Sequence, residues 1–443
     1  MEEEIMRKSA AALCMAVILC LSLLTGCGNT PAIGGGQVFL ENEAEGQDEQ
    51  VLKFFAPTDN DSSMARYYKE MIDRYNEGHS GLRVTLEGIS TADGFNEYLE
   101  QRLDAGEGDD VFILNADSVK PLHAKGYLYD LSGLPVFEKL NGATKDQAMI
   151  GDIAYCIPVN MSAYVMFVNV DLLEQYGLEP PQNLEEFITC CRSIKAGGGT
   201  PLSLNRWYAL TVPAMANGLY QIYSAENSKE LLAGLNSGEV KIGDYMLEGF
   251  ELFQTAVEEG WYGDGLDAAA VNALKAGETD YPDFAAGKTA FYFITVGNIK
   301  RMDSKHPEIN CIAQGIPIPG GTVTLPAVVS RLSVNANSEH LEDALEFVSY
   351  ITSGVYRKTS EGGGSELPIY DDVAFELSNE RMRPAYETYI SGGQIPIEDM
   401  RLHFTYWDTV RELCIKMFDG MTAQEAAEEY NRIQAEQIAA YTG

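Results

Sequence analysis

The stretch VLKFFAPTDNDSSMARYYKEMIDRYNEGHSGLRVTLE, residues 51–87, decides the fold. Its apolar opening, VLKFFA, is typical of a buried strand, and its closing LRVTLE predicts a second strand. Between them, apolar residues over 64–75 recur at helical spacing, and Ser62 or Ser63 is placed to cap the first turn. The stretch therefore predicts a strand, a helix and a second strand in succession.

The same alternation continues along the chain. A helix is predicted over residues 95–103 and a strand over 110–114. Successive strands and helices in this order imply right-handed crossovers and a parallel sheet. A second body of similar character starts near residue 163, with a strand over 164–168. The fold class is α/β, and we expect ligands at the carboxyl ends of the strands.

Two helix starts carry reciprocal capping signals. Asn183 is followed three residues later by Glu186, and Thr422 is followed by Glu425. In each pair the first side chain can accept from the backbone of the second, while the second reaches back. Both pairs predict where a helix of the second body begins.

Composition limits the possible functions. The chain has 443 residues, 45% of them apolar, which is enough for two domains with real cores. Its formal charge of −35 repels nucleic acid phosphates and anionic lipid headgroups, so nucleic acid binding is excluded. We expect a neutral or cationic small molecule, or a protein, as partner.

The N-terminal residues predict export. Arg7 and Lys8 precede an apolar core over residues 10–24, which is too short for a membrane span and typical of a secretory signal. Leu24-Thr25-Gly26-Cys27 resembles the bacterial lipobox, and this resemblance implies a diacylglyceryl anchor on Cys27. The alternative is an ordinary signal peptide with a chance cysteine. We assign residues 1–26 to a lipoprotein signal peptide and 27–49 to a flexible tether.

The remaining cysteines predict neither a disulfide framework nor a metal site. They lie in apolar segments without a CxxC or Cys/His spacing, so we expect buried free thiols, although one or two bridges stay open. A calcium loop near Asp59 is rejected because Met64 stands where such a loop requires glycine. No metal and no cofactor is predicted. The five cysteines are Cys156, Cys190, Cys191, Cys311 and Cys414.

Several segments, in shared order and spacing, resemble the family 1 extracellular solute-binding proteins, the maltose-binding-protein-like receptors of ABC importers. The resemblance implies a two-lobed periplasmic-binding-protein-like fold of type II, a hinge of several strands, a ligand cleft and no catalytic residues. The segments include DVFI (110–113), KGYLYDL (125–131), AYCIP (154–158), VNVDLL (168–173), FAAGKTAF (284–291), SVNANS (333–338) and WDTVR (407–411).

The family architecture also implies repeated crossings between the lobes. We place the crossings near residues 159–162, 316–320 and 362–368. Lobe one then comprises residues 50–159 plus 321–361. Lobe two comprises residues 160–320 plus 362–443.

A sugar site needs carboxylates and amides for hydroxyl groups and flat aromatics for ring faces. Trp407 matches a ligand-facing aromatic of the family, and Trp207 follows a predicted strand. The family often carries Gly-x-Trp where this chain has Gly297-Asn298-Ile299, so Tyr292 is the candidate replacement. The predicted substrate-binding residues are Asp59, Asn60, Asp61, Asn115, Asp117, Asn160, Asn205, Trp207, Tyr292, Asn298, Arg331 and Trp407.

Each of these residues has a plainer interpretation. Asp59, Asn60 and Asp61 could form an ordinary polar turn, and a tryptophan is more often core than platform. Arg331 could pair with a structural carboxylate or with an acidic group on the ligand. We leave Trp261 out as a buried aromatic.

The predicted function is therefore a monomeric, lipid-anchored receptor on the extracellular face of the cell membrane. It binds a sugar or oligosaccharide by cleft closure and delivers it to the transmembrane subunits of an ABC permease. One alternative is a receptor of the same fold for a polyamine, a peptide or ferric ion. The other is an extracellular glycoside hydrolase, which nothing favours specifically, because carboxylate pairs are unavoidable among 66 acidic residues. No GxSxG, HExxH or Walker motif is present either.

Overall fold

The computed structural model describes residues 39–41, 50–58, 62–90, 94–353 and 366–441. The signal peptide and the predicted lipid site Cys27 lie outside these residues. So do three of the predicted binding residues, Asp59, Asn60 and Asp61.

The strands of the described residues are mostly short, and two of them are long. The long ones are β7 and β13, which lie next to each other in the middle of the main sheet. The strands are β1 Phe39–Glu41, β2 Gln50–Pro57, β3 Leu82–Ile89, β4 Val111–Leu114, β5 Met149–Ile150, β6 Ile153–Ala154, β7 Ile157–Asn169, β8 Thr200–Leu202, β9 Thr289–Thr295, β10 Cys311–Gln314, β11 Ile316–Ile318, β12 Gly321–Val323 and β13 Leu325–Val334.

The main sheet has the order β1-β3-β2-β4-β13-β7-β9-β8, with β10 added alongside β7. Strand β2 pairs in parallel with both β3 and β4, which confirms the parallel unit predicted from residues 51–114. Strands β13, β7, β9 and β10 pair antiparallel, so the sheet as a whole is mixed. Strand β1, three residues of the expected tether, pairs with the open edge of β3.

The helices pack on both faces of this sheet. Their bounds are α1 Ser63–Gly78, α2 Phe95–Ala105, α3 Ala116–Ala124, α4 Gly142–Asp146, α5 Val170–Gln175, α6 Leu184–Ala196, α7 Tyr208–Tyr223, α8 Ser228–Ser237, α9 Ile242–Glu258, α10 Ala268–Ala273, α11 Asp280–Ala285, α12 Asn298–Lys305, α13 Leu341–Ile351, α14 Arg383–Ile390, α15 Trp407–Met417 and α16 Ala423–Ala440.

The predicted helix starts are confirmed at the level of single hydrogen bonds. Ser62 caps α1 by accepting from the backbone of Ala65, and Asn183 caps α6 in the same way. Thr422 and Glu425 form a complete capping box at the start of α16. Each such cap satisfies a backbone N–H group that the helix itself leaves without a partner.

Strand β7 differs from its prediction. The expected strand over residues 164–168 is the second half of a strand of 13 residues, Ile157–Asn169. Its first half pairs with β13, and its second half pairs with β9 and β10. The sequence does not predict the first half as a strand, because the polar residues Asn160 and Ser162 interrupt its apolar run. Those side chains alternate with Met161 and Ala163, which are fully buried.

Two hydrophobic clusters form the core. The first surrounds β2, β3 and β4 and continues along one face of β7, where it includes Phe167. The second lies on the other face of β7, with Met166 and Val168, and is built mainly by α7, α9, α15 and α16. The five described cysteines are unpaired and buried within these clusters, as expected. The predicted lobe limits stay a prediction.

Candidate functional site

Three half-buried aromatic side chains lie together beside the long strand β7. The ring centroid of Tyr164, on β7, is 5.0 Å from that of Trp407 and 5.9 Å from that of Tyr208. Trp407 is the first residue of α15, and Tyr208 is the first residue of α7. Three elements therefore bring one aromatic group together, which we call the aromatic platform: Tyr164, Tyr208 and Trp407.

Sequence reasoning found only Trp407 of this platform. Tyr164 could have been found from its spacing, because it continues the alternating series of Asn160 and Ser162 on the polar face of β7. Tyr208 gave no comparable signal beyond its place next to Trp207. Burial raises the pKa of both tyrosines, so at neutral pH their hydroxyls can donate and accept hydrogen bonds.

A buried carboxylate fixes one side of the platform. Asp280, only 1% exposed, accepts from the hydroxyls of Tyr208 at 3.2 Å and Tyr292 at 3.1 Å. It also accepts from the Asn205 amide at 2.8 Å and the Gly277 backbone at 2.6 Å. The predicted binding residues Asn205 and Tyr292 are thus fully buried around Asp280. In this structure both residues donate to the carboxylate that also accepts from Tyr208, so they help to fix the position of Tyr208.

Trp207 lies next to the platform with cationic neighbours. The guanidinium carbons of Arg206 and Arg411 are each 4.5 Å from its ring centroid. Its backbone N–H donates to Asn205 at 2.9 Å, which fixes the turn that leads into α7. A ligand that stacks on Trp207 would therefore share the ring with guanidinium groups.

Polar groups continue from the platform along the same face of β7. Ser162 donates to the carboxylate of Glu366 at 2.7 Å, and the Glu366 backbone N–H donates to the carbonyl of Met161 at 3.0 Å. The predicted residue Asn160 is half-buried on the same face, and Asn298 donates to the Thr295 hydroxyl at 2.8 Å. Glu366 was missed because it follows no predicted strand.

Gly297 makes room for that carboxylate. A methyl group on Gly297 would overlap the Glu366 carboxylate. This close approach gives a physical reason for glycine at position 297, which matches the first position of the Gly-x-Trp pattern, whereas Ile299 stands in place of the tryptophan.

Charged side chains of α3, a helix of the predicted lobe one, lie near residues 398–407. Asp117 is exposed there, and Lys120 donates to the backbone carbonyl of Leu402 at 2.6 Å. Opposite them, Glu398 accepts from the backbone N–H of Trp407 at 2.7 Å. Burial raises the pKa of Glu398 to about 7, and the nearby charge of Asp117 adds to the effect.

Two further predicted residues lie close to these groups. Asn115 precedes α3, and its amide donates to the Asn96 side chain at 3.2 Å. Arg331, 3% exposed on β13, donates to the backbone carbonyl of Val328 at 2.7 Å. Burial lowers the pKa of Arg331, and the negative charge of Asp117 opposes this shift.

The comparisons with known proteins agree with this architecture. A family model described as bacterial extracellular solute-binding protein matches residues 61–354, well over half of the chain. The chain belongs to this family. Its members bind transported solutes and are not enzymes.

Individual relatives are distant in sequence. The multiple sugar-binding protein of Streptococcus mutans is 22% identical to this solute-binding protein over 338 residues, 73% of this chain and 76% of the relative. A family 1 extracellular solute-binding protein from Bifidobacterium longum subsp. infantis superimposes with a TM-score of 0.72 at 16% identity. That superposition covers 88% of this chain and 99% of the other.

A sugar transporter from Bacillus licheniformis, in complex with stachyose, gives a TM-score of 0.62 at 18% identity. The superposition covers 87% of this chain and 100% of the transporter's chain. The predicted two-lobed α/β fold is confirmed by these neighbours.

Two findings concern the described residues alone. None of their helices combines the length and the hydropathy that a bilayer span needs. No group of three or more His, Cys, Asp or Glu side chains among them is arranged to hold a metal ion.

Proposed function

We propose that this solute-binding protein is the lipid-anchored receptor of an ABC importer and that it binds a sugar or oligosaccharide between its lobes. The observation that carries the proposal is the half-buried aromatic platform of Tyr164, Tyr208 and Trp407. Pyranose rings present apolar faces that pack on aromatic rings. Hydroxyl groups of the same sugar need hydrogen-bond acceptors and donors. The Glu366 carboxylate, which contacts β7 at Ser162, offers an acceptor, and the Asn160 side chain on β7 offers both.

The relatives support the same ligand class. One carries a name that refers to multiple sugars, and another is solved with the tetrasaccharide stachyose. A long ligand of this kind fits a site that extends from the platform toward Asp117 on the other lobe. Of the predicted residues, Trp407 is the stacking contact on which we rely most.

The proposed cycle uses lobe closure. A ligand that contacts both lobes favours the closed arrangement only by as much as it binds that arrangement more tightly. The transmembrane subunits of the permease would recognise the closed form, and two acyl chains on Cys27 would keep a monomeric receptor at the extracellular face of the membrane.

A thermal melting screen tests the ligand class. The purified protein is melted with raffinose, stachyose, xylo-oligosaccharides, spermidine and a peptide pool, because a bound ligand raises the midpoint by mass action. We expect a sugar to raise the midpoint and to be recovered uncleaved by chromatography. A shift with spermidine or peptide alone would replace the sugar proposal, and cleaved sugar would indicate a hydrolase.

Acylation is tested separately in cells. Radioactive palmitate should label the wild-type chain and should not label the Cys27→Ala variant. Equal labelling of both would remove Cys27 as the lipid site, and absence of label from the wild type would indicate an ordinary signal peptide.

A further inference from the structure

Strand β1 attaches the expected tether to the main sheet. Residues 39–41 pair antiparallel with residues 86–88 of β3. The other side of β3 pairs with β2 along its whole length, so β1 occupies an edge that would otherwise present unpaired backbone groups. Part of the chain that leads to the proposed lipid site is therefore built into the folded body.

The direction of β1 decides where the chain leaves the sheet. Phe39 lies opposite Gly88, near the carboxyl end of β3, and the chain then runs toward the amino end of β3. Residues that precede Phe39 therefore join the body at the carboxyl edge of β2, β3 and β4. Gln50, the first residue of β2, lies opposite Leu82 at the amino edge. Without β1, the tether would enter the body at that opposite edge.

The two entry points are separated by about the length of a strand. An eight-residue strand such as β3 spans about 26 Å, at ~3.3 Å per residue. Between Cys27 and Phe39 lie 11 residues, and a flexible chain of that length has a root-mean-square span of about 18 Å. Between Cys27 and Gln50 lie 22 residues, for which the span is about 26 Å. Pairing of β1 thus brings the carboxyl edge closer to the lipid site than the amino edge.

The charge of the tether changes at β1. Residues 28–38 carry no charged side chain, whereas residues 41–49 carry five acidic side chains and no basic one. Anionic headgroups repel carboxylates, and the repulsion is strongest within a Debye length of about 8–10 Å. The uncharged residues lead from β1 to Cys27, and the acidic residues lead from β1 to the amino edge. This charge pattern is the one expected if the amino edge points away from the bilayer.

The carboxyl edge is also the edge at which we expect a ligand. Helices α1, α2 and α3 begin shortly after β2, β3 and β4. Asp117, a predicted binding residue, is exposed at the start of α3. Ligands of parallel α/β sheets bind at this edge. An anchor that leaves the body here turns the predicted ligand loops toward the membrane.

We propose that β1 sets the orientation of the receptor on the membrane. By pairing with β3, it holds the carboxyl edge of the sheet toward the bilayer, on the side where the transmembrane subunits of a permease lie. This inference rests on the lipid anchor proposed above and deepens it. Acylation alone attaches the protein to the membrane, whereas the pairing of β1 selects the edge that faces it.

Hydrogen exchange tests the pairing and does not require acyl chains. Phe39→Gly/Leu40→Pro weakens β1, because proline and glycine are unfavourable in a ladder. Ala32→Gly/Ile33→Pro is the matched control within residues 28–38. Antiparallel pairs alternate between bonded and non-bonded. One or two amides within residues 82–89 should therefore exchange about tenfold faster or more in the first variant, and at the wild-type rate in the control.

Energy transfer to a labelled bilayer tests the orientation. The acylated protein is placed in phosphatidylcholine vesicles that contain an acceptor lipid. A donor is attached through Glu97→Cys, at the start of α2 on the carboxyl edge, or through Ser80→Cys, before β3 on the amino edge. Both positions are exposed, whereas the cysteines of the described residues are buried. We expect more efficient transfer from position 97 than from position 80 in the wild type and in the control. The order should reverse in Phe39→Gly/Leu40→Pro.

Equal exchange of β3 in this variant and in the wild type would overturn the proposal, because β1 would not protect the edge. Faster exchange with an unchanged order of transfer would overturn the orientation, because β1 would then cover β3 without directing the anchor. If palmitate does not label the wild type, the lipid anchor on Cys27 fails and the orientation fails with it. The exchange measurement still decides the pairing in that case.

Discussion

The buried carboxylate of Asp280 offers the sharpest single test of the structure. Asp280→Ala removes the shared acceptor of Asn205, Gly277, Tyr208 and Tyr292. The Tyr208 and Tyr292 hydroxyls, 3.4 Å apart, can still bond to each other. The Asn205 amide and the Gly277 N–H have no such alternative among the contacts of the described residues.

The expected loss of unfolding free energy follows from the two donors that lose their acceptor, the Asn205 amide and the Gly277 N–H. The Asn205 amide is fully buried and costs about 1–3 kcal/mol without a partner, whereas the Gly277 N–H is only half-buried, so the variant should lose about 3 kcal/mol of unfolding free energy. Tyr208→Phe removes one donor and leaves the acceptor satisfied, so its cost should be about 1 kcal/mol. Asp283→Ala, on the same helix α11, breaks only a surface pair with Lys288 and should cost less than about 1 kcal/mol.

Urea unfolding measures the three variants. The chain has three tryptophans, and Trp261 is fully buried in the second cluster, so tryptophan fluorescence reports the unfolding transition. The reasoning is refuted if Asp280→Ala loses no more unfolding free energy than Asp283→Ala. It is also refuted if Tyr208→Phe loses as much as Asp280→Ala.

Three further predictions follow from single contacts. Trp407→Ala should weaken binding of the sugar found by the melting screen by about tenfold or more, measured by calorimetry, because the platform loses its largest ring. Burial raises the pKa of Asp109 to about 7 against the opposing charge of Arg102, so the folded chain binds this proton more tightly than the unfolded chain. The resulting stability is complete below a pH of about 4 and is lost as the pH rises to about 7, so Asp109→Asn should flatten that part of the urea-midpoint profile. Gly297→Ala should destabilise by about 1 kcal/mol in melting experiments, because its methyl group would displace the Glu366 carboxylate from its hydrogen bond with Ser162.

Each of these expectations has a contrary result. Unchanged sugar affinity in Trp407→Ala would remove the platform from the binding site. A stability profile of the same slope in wild type and Asp109→Asn would show that another group titrates. A Gly297→Ala variant as stable as the wild type would mean that the Glu366 carboxylate can move without cost.

The fold could be predicted wherever local pattern and tertiary environment agree. Strand β2 and helix α1 are examples, because an apolar run and a capped amphipathic series each specify one structure. Strand β7 could be predicted only in part. Its first half carries polar residues on one face, and neither alternation over so few residues nor strand propensity reveals which elements pack against that face.

The site could be predicted less well because its residues come from distant parts of the chain. Trp407 was identified through the family resemblance, whereas Tyr164 and Tyr208 come together only through the pairing of β7 and the start of α7. Tyr292 is of a residue type that often contacts sugars, yet its side chain is buried and its hydroxyl donates to Asp280. A sequence specifies which side chains exist, and the topology decides which of them face the cleft.

The central claim is that a sugar binds between the two lobes and is released unchanged. Titration calorimetry of the wild-type protein with the sugar that raises its melting midpoint, followed by chromatography of that sugar, tests the claim most directly. We predict saturable binding of one sugar per chain, strongly weakened in Trp407→Ala, and recovery of intact sugar. Absence of heat with every sugar tested, or recovery of cleaved sugar, would contradict the claim.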